Sequence, residues 1–217
     1  MAPLSSSEAL TEDKRALRRE MAEKRAALSE AERRARSDAA AARLLALPEL
    51  AASALSVAGY VPAKGEIDPG PVLAEVAARG GAVALPRVSA EAPRLRFHRA
   101  GGTLAPGAFG LLEPAASAPE VALDTLDVVI APGLAFDAEG RRLGFGGGFY
   151  DGAFGPAANA PRGAPTRKRR AVLIGLAFDF QIVARCPASD ADVPVDLVVT
   201  DARVLRPARR PPAEPPA

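Results

Sequence analysis

Asp127-Val128-Val129-Ile130-Ala131-Pro132-Gly133 decides the fold class. Residues 127–131 form the strongest strand candidate in the chain, an apolar run stopped by a proline that cannot continue a ladder. Outward from it the same pattern recurs, at 171–177 and 197–200 downstream and at 54–60, 82–85 and 95–99 upstream, with Pro86 expected to end the 82–85 strand. Residues 71–79 predict a helix closed by Gly80-Gly81, while 62–70 and 101–119 predict loops rich in turn formers. The segment 7–47 predicts two helices. Leu10, Leu17, Met21 and Leu28 fall on one helical stripe, and Lys14, Arg18 and Arg25 on an adjoining one. Ser29-Glu30-Ala31-Glu32 fits a capping box that opens the second helix, which runs toward Pro48. Strands interspersed with helices predict an α/β sandwich with parallel pairing. No internal repeat is visible.

The chain has 217 residues, enough for one domain, expected over 7–205 with a disordered Pro/Arg-rich tail at 206–217. Trp is absent and aromatics are 5%, so the core must be built mainly from Ala, Val and Leu. The net charge of +2 hides an asymmetry. The stretch 162–170 carries +5 and the tail +2, which leaves −5 on the remainder. A duplex-binding domain is expected to show a basic stripe on its folded body, so no nucleic-acid partner is expected. Cys186 is the sole cysteine, so no intramolecular disulfide forms, which suits a reducing compartment. No basic flank with an apolar run opens the chain, and no stretch of about 18 apolar residues is present. A cytoplasmic location without a membrane partner is the expectation.

The chemistry is expected just past the 127–131 strand, in Pro132-Gly133-Leu134-Ala135-Phe136-Asp137 and then Arg141-Arg142-Leu143-Gly144-Phe145-Gly146-Gly147-Gly148-Phe149-Tyr150-Asp151. Four glycines within residues 144–148 leave backbone amides unobstructed, and such a loop can curl around a phosphate. The carboxyl end of a strand is where open α/β sheets bind ligands. Arg142 can add charge-assisted bonds, and Asp151 is a hard oxygen ligand suited to the Mg²⁺ that accompanies a nucleotide. The stretch is neither a Walker A loop, since no Gly-Lys-Ser/Thr follows, nor a dinucleotide fingerprint. A glycine-rich turn without a ligand is the rival reading.

These segments resemble the signature of the 5-formyltetrahydrofolate cyclo-ligase family. Lys14-Arg15-Ala16-Leu17-Arg18 is similar to its N-terminal element, and Tyr60-Val61-Pro62 with Glu66-Ile67-Asp68 to its folate-side loop. Leu85-Pro86-Arg87-Val88, Phe109-Gly110 with Glu113-Pro114, and Asp192 through Asp196 to Thr200 fit the later elements, so the likeness runs from about Lys14 to Asp201. The resemblance implies a three-layer α/β/α sandwich, Rossmann-like, with a mainly parallel sheet behind an N-terminal helical segment. It implies ATP- and Mg²⁺-dependent cyclisation of 5-formyltetrahydrofolate to 5,10-methenyltetrahydrofolate by a monomer. Lys14, Arg15 and Arg18 would contact the phosphates. Arg142, Leu143, Gly144, Phe145, Gly146, Gly147, Gly148, Phe149 and Tyr150 would wrap the nucleotide. Val61 and Glu66, with Phe145 to Phe149, would border the folate. Asp151 and Asp192 would serve Mg²⁺, and Lys14, Arg142 and Tyr150 would carry catalysis.

Each position also has a plainer reading. Lys14 and Arg18 could be a solvated helix face, Glu66 an exposed loop charge, and Asp151 a helix cap. Asp192 and Asp196 could be turn residues. Phe149 and Tyr150 could anchor the loop or stack on the flat pterin. His98 and Cys186 read as packing residues. Gly152 stands where the family usually has a basic residue, and the Gly/Pro content of 154–165 discourages the helix expected there. A cyclo-ligase-like relative that binds another small molecule is the alternative function.

Overall fold

The computed structural model describes residues 6–88, 95–107, 110–155, 171–189 and 191–208. Phe109, the basic stretch 162–170, most of the Gly/Pro-rich 154–165 segment and the tail from 209 lie outside them.

Two N-terminal helices form as expected, α1 (Ser6–Ala26) and α2 (Glu30–Leu45). The Ser29 hydroxyl accepts the Glu32 N–H at 3.2 Å while the Glu32 carboxylate accepts the Ser29 N–H at 2.9 Å, which completes the capping box. Strand β1 (Ser56–Ala58) leads to α3 (Gly70–Ala78), then β2 (Ala82–Val88) and β3 (Leu95–Arg99). A small hairpin follows, β4 (Leu104–Pro106) with β5 (Leu112–Pro114), and then β6 (Glu120–Val121). The strand that opened the sequence reading is β7 (Val128–Ala131). The short pair β8 (Ala135–Phe136) and β9 (Arg142–Leu143) brackets a tight turn before α4 (Phe149–Phe154). Strands β10 (Val172–Ala177), β11 (Leu197–Thr200) and β12 (Val204–Leu205) complete the order.

One eight-stranded sheet carries the order β12-β11-β10-β7-β1-β2-β3-β6. Its centre, from β11 to β2, is parallel, and the outer pairings are antiparallel. The side chains show why the central strands read as unbroken apolar runs. Val57, Val128, Ile130, Ile174, Leu176, Leu197 and Val199 face one layer, with Ala40, Leu44, Val72 and Val76 of α2 and α3. Their neighbours Ala58, Val129, Ala131, Leu173 and Val198 face the other, with Ala153 and Phe154 of α4. A sheet buried on both faces needs apolar residues at every position. The result is the expected α/β/α layering behind an N-terminal helical segment.

Two local expectations are corrected. Strand β2 runs through Pro86 rather than stopping at it, because β1 ends at Ala58 against Ala84 and β2 then has a ladder partner only on its β3 side. The span 101–119 holds the β4–β5 hairpin, not only loop. Arg206, the first residue of the expected tail, pairs with Glu49 at 2.7 Å.

Candidate functional site

One cleft of about 500 Å³ gathers most of the expected residues, a size within the usual range for small-ligand pockets. The stripe on α1 explains how the helix reaches it. Leu17 and Met21 dock that helix on a small cluster with Leu134, Ala135, Leu143 and Cys186, and this turns Lys14 and Arg18 toward the cleft. Lys14 Nζ meets Asp192 Oδ2 at 2.6 Å, and Arg18 Nε donates to the Gly144 carbonyl at 2.9 Å. Arg15 does not join them. Its exposed side chain pairs with Glu12, one helical position away from the cleft-facing stripe.

The glycine-rich turn lines the cleft from Gly144 to Gly148. Gly146 has φ +105° and Gly148 φ +65°, backbone conformations that an L side chain resists. Arg142 lies buried behind the turn. It bonds Asp151 Oδ1 at 3.0 Å, and its guanidinium sits 4.9 Å over the Tyr150 ring. Burial raises the Tyr150 phenol and the Arg142 charge opposes that rise. The phenol oxygen is buried without a hydrogen-bond partner among the described residues. Phe149 also lines the cleft.

Asp151 and Asp192 both line the cleft. Burial works against the Asp192 charge, but hydrogen bonds from Lys14 and Ser189 outweigh it and hold the carboxyl below its ordinary range. Asp151 is no helix cap. Gly148 occupies the cap position of α4, and Asp151 instead accepts the Val193 N–H at 3.0 Å. Among the described residues no three His, Cys, Asp or Glu side chains gather as a metal cage. A Mg²⁺ that accompanies a nucleotide asks for less, one or two carboxylates with waters and phosphate oxygens. The hydrogen bonds to each carboxylate converge on one oxygen, Oδ1 of Asp151 and Oδ2 of Asp192. Those two residues fit such an ion.

The remaining wall comes from the 60–66 loop and from β2 and β5. Val61 and Glu66 line the cleft with Tyr60, whose hydroxyl donates to the Ile67 carbonyl at 2.6 Å. Glu66 is far from the exposed loop charge of the plainer reading. It is 7% exposed, accepts the Ala63 N–H at 2.9 Å and lies 4.0 Å from Arg25. Burial raises its carboxyl, and the Ala63 amide and Arg25 only partly offset that rise. The Arg25 guanidinium stacks 5.3 Å from the Phe145 ring, and Lys64 takes the same ring at 5.3 Å. Leu112 and Phe145, the large apolar side chains left exposed among the described residues, both line this cleft.

Sequence reading did not single out Arg25, Lys64, Leu112 or Glu113 as site residues. Arg25 lies on the Lys14–Arg18 stripe, and Glu113 lies in a segment that carries the family likeness, so both had a signal. The other readings resolve simply. His98 is buried on β3 with Nδ1 donating to the Ala118 carbonyl at 2.7 Å. Cys186 is buried, and desolvation with nearby Asp137 pushes its thiol up to about 12. Asp196 accepts the Leu173 N–H at 2.8 Å as a strand-end residue. Asp137, fully buried, accepts from Arg141 and from the Cys186 N–H, and so pins the turn rather than facing the cleft.

The family model described as the 5-formyltetrahydrofolate cyclo-ligase family matches residues 10–201. The chain belongs to this family. It is 30% identical over 186 residues to the 5-formyltetrahydrofolate cyclo-ligase of Escherichia coli, spanning 84% of this chain and 97% of that one. The solution structure of 5,10-methenyltetrahydrofolate synthetase from Aquifex aeolicus matches with a TM-score of 0.73 at 35% identity, over 93% of this chain and 96% of that one. A second synthetase structure, from Mycoplasma pneumoniae, shares the fold at a TM-score of 0.66 and 24% identity, over 87% of this chain and 99% of that one. The expectations of this family, of a ligase and of an α/β fold with N-terminal helices are borne out. Among the described residues no helix is long and apolar enough to cross a membrane.

Proposed function

We propose that the protein uses ATP and Mg²⁺ to cyclise 5-formyltetrahydrofolate to 5,10-methenyltetrahydrofolate, as a soluble monomer of the cytoplasm. The carrying observation is that one cleft joins two unlike walls. One bears Lys14, Arg18, the glycine-rich turn and two aspartates, and the other bears Tyr60, Val61, Pro86 and Leu112. The first suits a triphosphate and the second a flat, largely apolar heterocycle.

In this reading the formyl oxygen attacks the γ-phosphorus of ATP and ADP leaves, which turns a poor leaving group into a phosphate ester. The 10-position nitrogen then attacks the activated carbon. That attack closes the five-membered ring, and loss of inorganic phosphate and of the proton on that nitrogen leaves the methenyl C=N bond. Phosphoryl transfer asks the protein mainly for positioning and charge neutralisation. Lys14 and Arg18 supply the cations, with the loop amides of 144–148 around the phosphates, and Arg142 holds Asp151 in place. The Tyr150 hydroxyl, without a hydrogen-bond partner among the described residues, is a donor for the moving group. Asp151 and Asp192 would hold Mg²⁺, which supplies charge neutralisation on the phosphate oxygens when bound.

The test is the rise of methenyltetrahydrofolate absorbance with purified protein, 5-formyltetrahydrofolate, ATP and Mg²⁺. Lys14→Met and Asp151→Asn are each expected to cut turnover by at least about 100-fold, the scale of removing one preorganised electrostatic contact, while both variants stay folded. ATP binding without formylfolate turnover by the wild type would sink the proposal and favour another small-molecule substrate.

A further inference from the structure

Glu113 stands on β5 in the wall of the cleft and is 2% exposed. One carboxylate oxygen, Oε1, accepts the Val88 N–H at 3.1 Å. The other, Oε2, is buried and accepts no hydrogen bond among the described residues. Arg87 does not satisfy it. Its Nη1 is 3.8 Å away, beyond hydrogen-bond range, and donates instead to the Pro114 carbonyl. A buried carboxylate oxygen without a partner is costly and rare in folded proteins. The chain also makes room for it. A Cβ on Gly107 would lie 2.2 Å from both Cδ and Oε2 of Glu113, so only glycine at 107 lets this side chain lie where it does.

The cleft that Glu113 lines says what this oxygen awaits. Leu112, 48% exposed, lines the cleft beside Glu113, as do Pro86 and Val88. A single acceptor beside Leu112, Pro86 and Val88 in the cleft lining, with Arg87 3.8 Å away, suits a flat heterocycle with hydrogen-bond donors along one edge. A 2-amino-4-oxopterin has such an edge. Its ring N3–H and 2-amino N–H lie side by side, spaced like the donors of a guanidinium that bind carboxylate in parallel. We infer that Glu113 is a specificity residue that receives the donor edge of the pterin, with Leu112 against the ring. This rests on the formylfolate reading above and adds the end of the cleft at which the pterin docks.

The experiment compares 5-formyltetrahydrofolate with its 2-desamino analogue, which lacks one of the two donors. It uses the wild type, Glu113→Ala, Glu113→Gln and Gly107→Ala. Wild type is expected to favour the natural substrate by about 10-fold or more in kcat/KM, the scale of one hydrogen bond to a charged group. Glu113→Ala should raise KM for formylfolate about 10- to 100-fold, leave KM for ATP unchanged, and treat the two folates alike. Glu113→Gln keeps an acceptor oxygen and should fall between. Gly107→Ala leaves Glu113 in the chain but displaces its carboxylate, and should mimic Glu113→Ala.

Equal use of both folates by the wild type would overturn the inference without need of any variant. So would an unchanged KM for formylfolate in Glu113→Ala, or an equal rise in both KM values. Failure of the wild type to turn over formylfolate at all is a different result, and it removes the underlying reading along with this one.

Discussion

Glu66 shows how a single side chain can look ordinary in sequence and be unusual in the fold. It lies between Pro62 and Gly70 in a stretch that reads as a solvated loop, yet the chain buries it beside Arg25. Desolvation raises its folded pKa above the ordinary value of 4.5. Between those two values the folded state holds a proton that the unfolded chain has released, so this group's contribution to stability falls as pH rises through the window. Glutamine at this position does not titrate. The melting temperature of Glu66→Gln relative to wild type is therefore expected to climb as pH is raised from about 4.5, and to level off above the raised value. A difference that stays flat over that range would show that Glu66 ionises normally, and one that falls would show that its folded pKa is lowered. The cations were easier to read. Lys14 and Arg18 are four apart on a helix, so their shared direction follows from the period alone. Arg25 lies on the same stripe, but nothing in its sequence context says that it ends up beneath an exposed phenylalanine and next to a buried acid.

Among the elements, strands buried on both faces were legible because they need apolar residues without interruption. Strands β3 and β11 fall on the expected residues, and β7 and β10 start one residue later than expected. The β4–β5 hairpin was not legible. It has three residues per strand, a proline closing each, and in β4 no buried residue, so composition pointed to loop. The glycine-rich turn was legible as glycine-rich, but its conformation was not. Two of its glycines separate by physics. Gly144 and Gly148 both have open space where a Cβ would go, yet only Gly148 has a left-handed backbone. Gly148→Ala is expected to cost about 1 kcal/mol of stability and to raise KM for ATP. Gly144→Ala should stay within about 0.5 kcal/mol. Urea unfolding of the two variants checks this. Equal losses would mean that crowding, not backbone conformation, keeps glycine in the turn.

At the scale of the molecule, helix α1 is docked lightly and yet is central to the cleft. It carries Lys14 to Asp192, Arg18 to the Gly144 carbonyl and Arg25 under Phe145, while its apolar contact is the small cluster around Met21. Sequence predicted the helix and its two stripes. The family resemblance put Lys14 and Arg18 at the phosphates, but sequence did not predict the partners Asp192, Gly144 and Phe145, because those depend on where residues more than a hundred positions away are brought by the sheet. Strand β12 is an edge strand on the far side of β11 and contributes nothing to the cleft. Both elements are expected to open locally at modest cost, but only the opening of α1 dismantles the proposed nucleotide site. Ligand at 100 times its Kd adds about 2.7 kcal/mol to any opening that releases it, which slows exchange through that opening about 100-fold. Amide hydrogen exchange should therefore slow by about that factor in α1 when ATP and Mg²⁺ are added, and stay unchanged in the locally fraying β12. If α1 exchanges at the same rate with and without nucleotide, its cations are not phosphate ligands, and the helix serves the fold alone.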